Sequence, residues 1–327
     1  MLKKLKKPLC AALCLLALCG ALTACGASGD AESASGKARI VTTIFPLYDW
    51  TRQILGSRVG DVELTMLLDS GADLHNYQPT VEDMVRVSEC DLFIYVGGES
   101  DKWVTDALKE AVNKDMRVLN LMEMLGDAVR TEELAPGMQA EDEDADEDED
   151  EETEYDEHIW LSLKNAFTCC QAIVETLEAM DIVTRHESGV DEYCAELVAL
   201  DARYKEAADA APLKTVLFAD RFPFRYLADD YGLTYYAAFQ GCSAETEASF
   251  ETIAFLAAKL DELSLPAVLT TETSDGRIAE TVVRTSGRPD TPILTMDSMQ
   301  SMAAEDADYL SIMESNLGVL RLALGAD

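Results

Sequence analysis

The segment Asp91-Leu92-Phe93-Ile94-Tyr95-Val96 is a nearly continuous run of apolar side chains, and Gly97 and Gly98 follow it directly. A run without polar alternation is typical of a strand covered on both faces. Similar stretches lie at Arg39–Phe45, Val62–Leu68 and Arg117–Leu121, and helical patterns lie between the strands at Tyr48–Leu55, Val81–Val87 and around Asp101–Val112. This alternation predicts an α/β fold with a parallel sheet and helices on both faces.

The second half of the chain repeats this alternation after a long helical stretch. Two helices are predicted at Asn165–Met180 and Val190–Ala210. Strands are then predicted at Thr215–Ala219, Leu233–Ala238, Ala267–Thr271 and Pro292–Met296, with helices at Pro223–Asp230, Glu247–Leu263, Arg277–Thr285 and Asp306–Leu324. We therefore expect an N-lobe over 38–164, helices including a long rigid connecting helix over 165–211, and a C-lobe over 212–327. Ligands of such folds bind beyond the carboxyl ends of the strands, here in the cleft between the lobes.

The first residues indicate export. Four lysines, the first of them Lys3, precede an apolar run from Leu9 to Leu22. The run is shorter than the about 20 residues that a membrane-spanning helix needs, and it fits a secretory signal. Leu22–Gly26 looks like a bacterial lipobox, which predicts a signal peptide over 1–24, lipidation at Cys25 and a flexible tether over 25–37. The expected location is the extracytoplasmic face of the cell membrane, and an ordinary cleaved signal is the alternative.

The chain is strongly acidic, with a formal net charge of −36. Such a surface excludes nucleic acid as a partner and attracts cations. Within Glu141–Glu154 only Ala145 and Thr153 are not acidic. Because like charges repel and bury no apolar area, we expect a disordered loop over about 132–157. It either keeps the chain soluble or collects cations beside His158, and the sequence leaves both open.

The chain has three histidines, and two of them lie in distinctive settings. His75 lies within Gly71–Thr80 (GADLHNYQPT), His158 lies within Asp156–Ser162 (DEHIWLS), and His186 has no such setting. Imidazole is the commonest protein ligand for zinc, so the first two predict a shared metal site. The five cysteines after Cys25 show no paired zinc spacing, and most are interpreted as small buried hydrophobic residues.

These motifs together resemble one protein family. The whole mature chain is similar to the substrate-binding lipoproteins of zinc and manganese ABC importers. The resemblance lies in the two histidine segments, in Phe224–Leu233 and in Met296-Asp297-Ser298, which matches the segment that supplies an aspartate in the family. It implies a protein that captures Zn²⁺ or Mn²⁺ and delivers it to an ABC permease as a monomer, without catalysing a reaction.

The sequence departs from the family at one ligand position. The third ligand of the family, a His or a Glu, falls on Arg221. Arginine stays protonated and cannot bind a metal. The resemblance thus implies His75, His158 and Asp297 as ligands, and Glu272 and Asp220 are further candidates from the C-lobe. Such a set suits Zn²⁺ but also admits Mn²⁺. A secreted metallohydrolase and a surface adhesin with a degenerate metal site are the alternative functions.

Overall fold

The computed structural model describes residues 36–69, 71–139, 154–243, 247–303 and 308–326. The predicted signal peptide, Cys25 and most of the tether therefore lie outside the described residues, as does most of the acidic run. The chain from Ala38 onward forms one compact unit. Among the helices in the described ranges, none is both long enough and apolar enough to span a membrane.

The N-lobe is built on four parallel strands in the order β2-β1-β3-β4. The strands are β1 (Ala38–Thr42), β2 (Val62–Met66), β3 (Leu92–Tyr95) and β4 (Arg117–Asn120), and the helices are α1 (Phe45–Leu55), α2 (Val81–Glu89), α3 (Trp103–Lys109) and α4 (Leu121–Leu125). Leu92, Phe93 and Ile94 of β3 are fully buried. This confirms the strand predicted from the apolar run, which is covered on both faces.

Two long helices follow the N-lobe, α5 (Leu163–Ala179) and α6 (Val190–Ala210). The 21 residues of α6 span roughly 30 Å at 1.5 Å per residue, which suits the predicted stiff connection. The side chains of Val190, Leu197 and Tyr204 face the core and are buried. The Tyr204 hydroxyl also donates to the backbone oxygen of Met313 over 2.6 Å, so α6 is tied to the end of the chain.

The C-lobe repeats the design of the N-lobe, with strand order β6-β5-β7-β8 and parallel pairing throughout. The strands are β5 (Thr215–Phe222), β6 (Thr234–Gln240), β7 (Val268–Thr271) and β8 (Ile293–Met296), and the helices are α7 (Arg225–Tyr231), α8 (Phe250–Glu262), α9 (Arg277–Thr285) and α10 (Tyr309–Ala323). This confirms the predicted pair of parallel βα lobes. Strand β5 is three residues longer than predicted, because Phe222 still pairs with Gln240 after a register shift.

The predicted disordered segment over about 132–157 extends too far at both ends. Thr131 and Tyr155 form an antiparallel bridge, and Glu132 donates its backbone N–H to the oxygen of Glu154 over 2.9 Å. Asp156 and Glu157 are almost completely buried. Backbone pairing and burial therefore hold residues 132–139 and 154–157, whereas residues 140–153 lie outside the described residues.

Candidate metal centre

His75 is placed by the loop that follows strand β2. The Asp73 carboxylate accepts the backbone N–H of His75 over 3.0 Å and starts a single 3₁₀ turn, Leu74–Asn76. The Nδ1 atom of His75 lies 3.0 Å from the Ser100 hydroxyl and 3.7 Å from a carboxylate oxygen of Glu157. A turn and two polar neighbours thus fix the imidazole, and its Nε2 atom points into the cleft.

His158 is held by its own neighbour in the sequence. Oδ1 of Asp156 accepts both the backbone N–H of His158 and its Nδ1–H, each over 2.8 Å. An acceptor on one ring nitrogen fixes the tautomer and leaves a lone pair on the other. The sequence suggests Asp73 and Asp156 as these acceptors. The geometry agrees for Asp156, whereas Asp73 binds backbone instead of the His75 ring.

The two imidazoles meet at one point. Nε2 of His75 lies 3.2 Å from Nε2 of His158, although 83 residues separate them. The amide nitrogen of Gln300, from the segment after β8, contacts both Nε2 atoms and is 3.2 Å from that of His75. An amide nitrogen carries two hydrogens, so Gln300 can donate one to each lone pair. The C-lobe thus supplies a polar group at the point where the two histidines converge.

Burial keeps both histidines neutral. Burial and, to a lesser degree, the nearby His158 together lower the pKa of His75 to about 3. Burial likewise lowers the pKa of His158 to about 4. A metal ligand must be the neutral imidazole. Both side chains are therefore ready to bind a cation at neutral pH without first losing a proton.

Within the described residues, the three predicted acidic ligands of the C-lobe form no cluster of ligand atoms with the two histidines. Oδ2 of Asp220 accepts from the backbone and the hydroxyl of Thr271, over 3.0 and 2.8 Å. Glu272 accepts from the backbone and the hydroxyl of Ser298, over 2.7 and 2.8 Å. Asp297 accepts the Met299 backbone N–H over 2.8 Å. Their role as ligands remains a prediction, since each carboxylate accepts hydrogen bonds from other groups of the C-lobe here.

Two clusters of potential ligand atoms stand out within the described ranges. One joins His75, His158 and Cys242, and the other joins Glu132, Asp156 and His158, with ligand atoms within 4.8 Å of one another in each. Neither Cys242 nor Glu132 is among the ligands predicted from the sequence. The sequence nevertheless contains an indication of Cys242. The segment Gln240-Gly241-Cys242-Ser243 comes soon after a predicted strand, and residues that follow a parallel strand lie at the carboxyl edge of the sheet, where ligands bind.

Buried acidic side chains surround the histidines on the N-lobe side. Burial raises the pKa of Asp156, Glu157 and Asp101 to about 7. One carboxylate oxygen of Asp156 and one of Glu157 are buried without a hydrogen-bond partner in the structure. Buried carboxylates are costly unless a positive charge balances them. The surroundings of the two imidazoles thus favour a bound cation.

Comparison with known proteins decides the family. The profile of the family described as "ZnuA: Zinc-uptake complex component A periplasmic" matches residues 40–323. The chain belongs to the ZnuA family. It is similar to the high-affinity zinc uptake system protein ZnuA of Bacillus subtilis, with 31% identity over 95% of this chain and 97% of that protein.

The chain is also similar to two proteins of Streptococcus pneumoniae, a zinc-binding lipoprotein and a protein whose zinc-bound crystal structure is known. The zinc-binding lipoprotein AdcA is 30% identical over 94% of this chain, which spans only 60% of the length of AdcA. The crystal structure of a Zn(II)-bound mutant variant of AdcAII superposes with a TM-score of 0.69 at 25% identity, and covers 88% of this chain and 99% of that chain. The fold therefore matches that of the ZnuA-like proteins.

Proposed function

We propose that this protein is an extracytoplasmic solute-binding protein that captures Zn²⁺ between its lobes and delivers it to an ABC permease. The observation that carries the proposal is the 3.2 Å separation of the His75 and His158 Nε2 atoms. Two nitrogens bound at 2.0–2.1 Å to one tetrahedral zinc ion lie about 3.3 Å apart. The pair is thus spaced as two ligands of a single ion.

The names of the relatives support the same proposal. ZnuA of Bacillus subtilis is a zinc uptake protein and AdcA is a zinc-binding lipoprotein. We infer that this chain is likewise anchored through lipid on Cys25, acts as a monomer and docks on a membrane permease. Zinc is proposed over manganese because two imidazoles suit zinc, whereas Mn²⁺ prefers oxygen ligands.

Competition titration with a zinc indicator tests the proposal on the metal-free protein. Binding tighter than micromolar is expected, and His75→Ala and His158→Ala should each weaken it at least tenfold. His186→Ala is the matched control, since His186 is exposed between α5 and α6 and should leave the affinity unchanged. Absence of binding in this range, or indifference to both site variants, would overturn the proposal.

The alternative functions make different predictions. A secreted metallohydrolase would show chelator-sensitive turnover of ester or peptide substrates, which requires an open metal position and a general base. An adhesin with a degenerate site would carry no zinc when purified without added metal, as elemental analysis would show. Membership of the ZnuA family supports transport over both.

A further inference from the structure

Arg221 occupies the position at which the family has its third metal ligand. The resemblance places the third ligand at position 221, and the guanidinium there cannot bind a metal. Instead, Arg221 donates to Asp73 over 2.8 Å and contacts the backbone oxygen of Ser243 over 3.5 Å. The first contact holds the loop of His75, and the second holds the residue after Cys242. The side chain at the expected ligand position thus joins two loops of the site.

We propose that the thiolate of Cys242 is the third protein ligand and completes a His₂Cys zinc site. This rests on the proposed function and names a ligand for it. The sulfur and one ligand nitrogen of each histidine lie within 4.8 Å of one another. In a tetrahedral site with Zn–S of about 2.3 Å and Zn–N of about 2.0 Å, sulfur and nitrogen are roughly 3.5 Å apart. Closure by about 1 Å is enough to bring all three onto one ion.

The backbone before Cys242 is shaped to pass directly against His158. A Cβ atom built on Gly241 would lie 2.9 Å from Cε1 of His158 and 3.0 Å from the backbone oxygen of Phe222. Any other residue would collide with the imidazole or with the end of β5, so glycine is required by this close approach. The close approach of Gly241 to His158 therefore places Cys242 beside the two histidines.

Among the five cysteines that the structure describes, Cys242 is the one with access to the site. The cysteines at 90, 169, 170 and 194 are buried in the hydrophobic core, whereas Cys242 is partly exposed. Together with His75, Tyr77 and Trp103 it lines a cavity of about 340 Å³. A hydrated ion that enters this cavity therefore meets one imidazole and the thiol on its wall.

Glu132 holds the cysteine loop from the N-lobe side. Its carboxylate accepts the backbone N–H of Cys242 over 3.2 Å and also lies beside the thiol. On metal binding the S–H bond breaks, a zinc–sulfur bond forms and the proton leaves to solvent, so the step needs no oxidant or reductant. A thiolate ligand favours Zn²⁺ over Mn²⁺, since soft ligands bind manganese weakly.

Cobalt substitution tests the proposal on the full chain. Co²⁺ replaces Zn²⁺ in tetrahedral sites, and a bound thiolate gives an intense sulfur-to-cobalt charge-transfer band in the near ultraviolet. The wild type should show this band, and Cys242→Ser should lose it and bind zinc at least tenfold more weakly. Cys194→Ser is the matched control, since that thiol lies on α6, and it should keep both properties. Thermal unfolding of each variant checks that it is folded.

Alkylation gives a second measurement that needs no variant. In the metal-free protein iodoacetamide should modify Cys242 faster than the four buried cysteines, and one equivalent of zinc should protect it, as peptide mass spectrometry would show. A wild type that binds zinc without the charge-transfer band, or with Cys242 still open to alkylation, overturns the Cys242 assignment and leaves the proposed function intact. A wild type that binds no zinc overturns both.

Discussion

The guanidinium of Arg221 donates to the carboxylate of Asp73 over 2.8 Å and so joins strand β5 of the C-lobe to the histidine loop of the N-lobe. The two side chains are only 14% and 16% exposed. Burial by itself raises the pKa of Asp73, but the hydrogen bond and charge of Arg221 outweigh it, and the pKa lies below its usual range. The carboxylate therefore stays ionised and the pair connects the two lobes across the cleft.

Loss of this ion pair should destabilise the metal-free protein. Arg221→Met keeps most of the side-chain volume but leaves the Asp73 charge without its partner in a largely buried place. We expect a loss of about 1–3 kcal/mol in the free energy of unfolding, measured by urea denaturation. Arg203→Met is the control, because Arg203 pairs with Glu314 where both side chains are about half exposed. That change should cost less than about 1 kcal/mol, and equal losses in the two variants would contradict the prediction.

The histidines of the site should not titrate at ordinary pH. Because burial lowers the pKa of His75 to about 3 and that of His158 to about 4, both rings stay neutral as the pH falls from 8 to 5. Nitrogen-15 NMR of the imidazoles in the metal-free protein measures this directly, since the chain has three histidines. A titration of either site histidine with a midpoint above pH 6 would show that the ring is charged and open to water.

Gln300 should compete with the metal for the two histidines. Its amide nitrogen contacts both Nε2 atoms and must move before an ion can bind them. Gln300→Glu replaces this donor by a carboxylate, which can bind zinc itself, and we expect the affinity to rise at least tenfold. Gln300→Ala removes the competing amide without adding a ligand and should bind zinc less tightly than the glutamate variant. Competition titration ranks the three proteins, and a glutamate variant weaker than wild type would contradict the prediction.

Trp160 should stabilise the segment that carries Gln300. Its indole N–H donates to the backbone oxygen of Ser298 over 2.8 Å, and the whole side chain is buried. Trp160→Phe leaves that oxygen without its donor and opens a small cavity, so we expect a loss of about 2–4 kcal/mol in urea denaturation. Trp50→Phe is the control, because Trp50 is also fully buried and its indole nitrogen has no hydrogen-bond partner in the structure. If the control variant lost as much free energy of unfolding as Trp160→Phe, the effect would be due to ring volume alone and would contradict the prediction.

The main elements of the fold follow from local sequence. The apolar run at Leu92–Tyr95 and its counterparts predict parallel strands, and the helical pattern along Val190–Ala210 predicts the connecting helix. The structure has all of them. Element ends were less predictable. Helix α1 begins at Phe45, inside a predicted strand, because Pro46 suits the first turn of a helix.

The resemblance to the family, the two βα lobes and the two histidine segments could all be predicted from the sequence, because each is written in contiguous residues. The approach of Cys242, Gln300 and Glu132 to those histidines is visible only in the folded chain, as are the hydrogen bonds that Asp220, Glu272 and Asp297 accept from Thr271, Ser298 and Met299. These contacts depend on the fold because the residues lie in strands and loops that are far apart in the sequence, except Asp297 and Gln300, which both follow β8. Strand register, the tight passage of Gly241 and the Arg221–Asp73 ion pair set which side chains reach the cleft, and no local pattern encodes such contacts between the lobes.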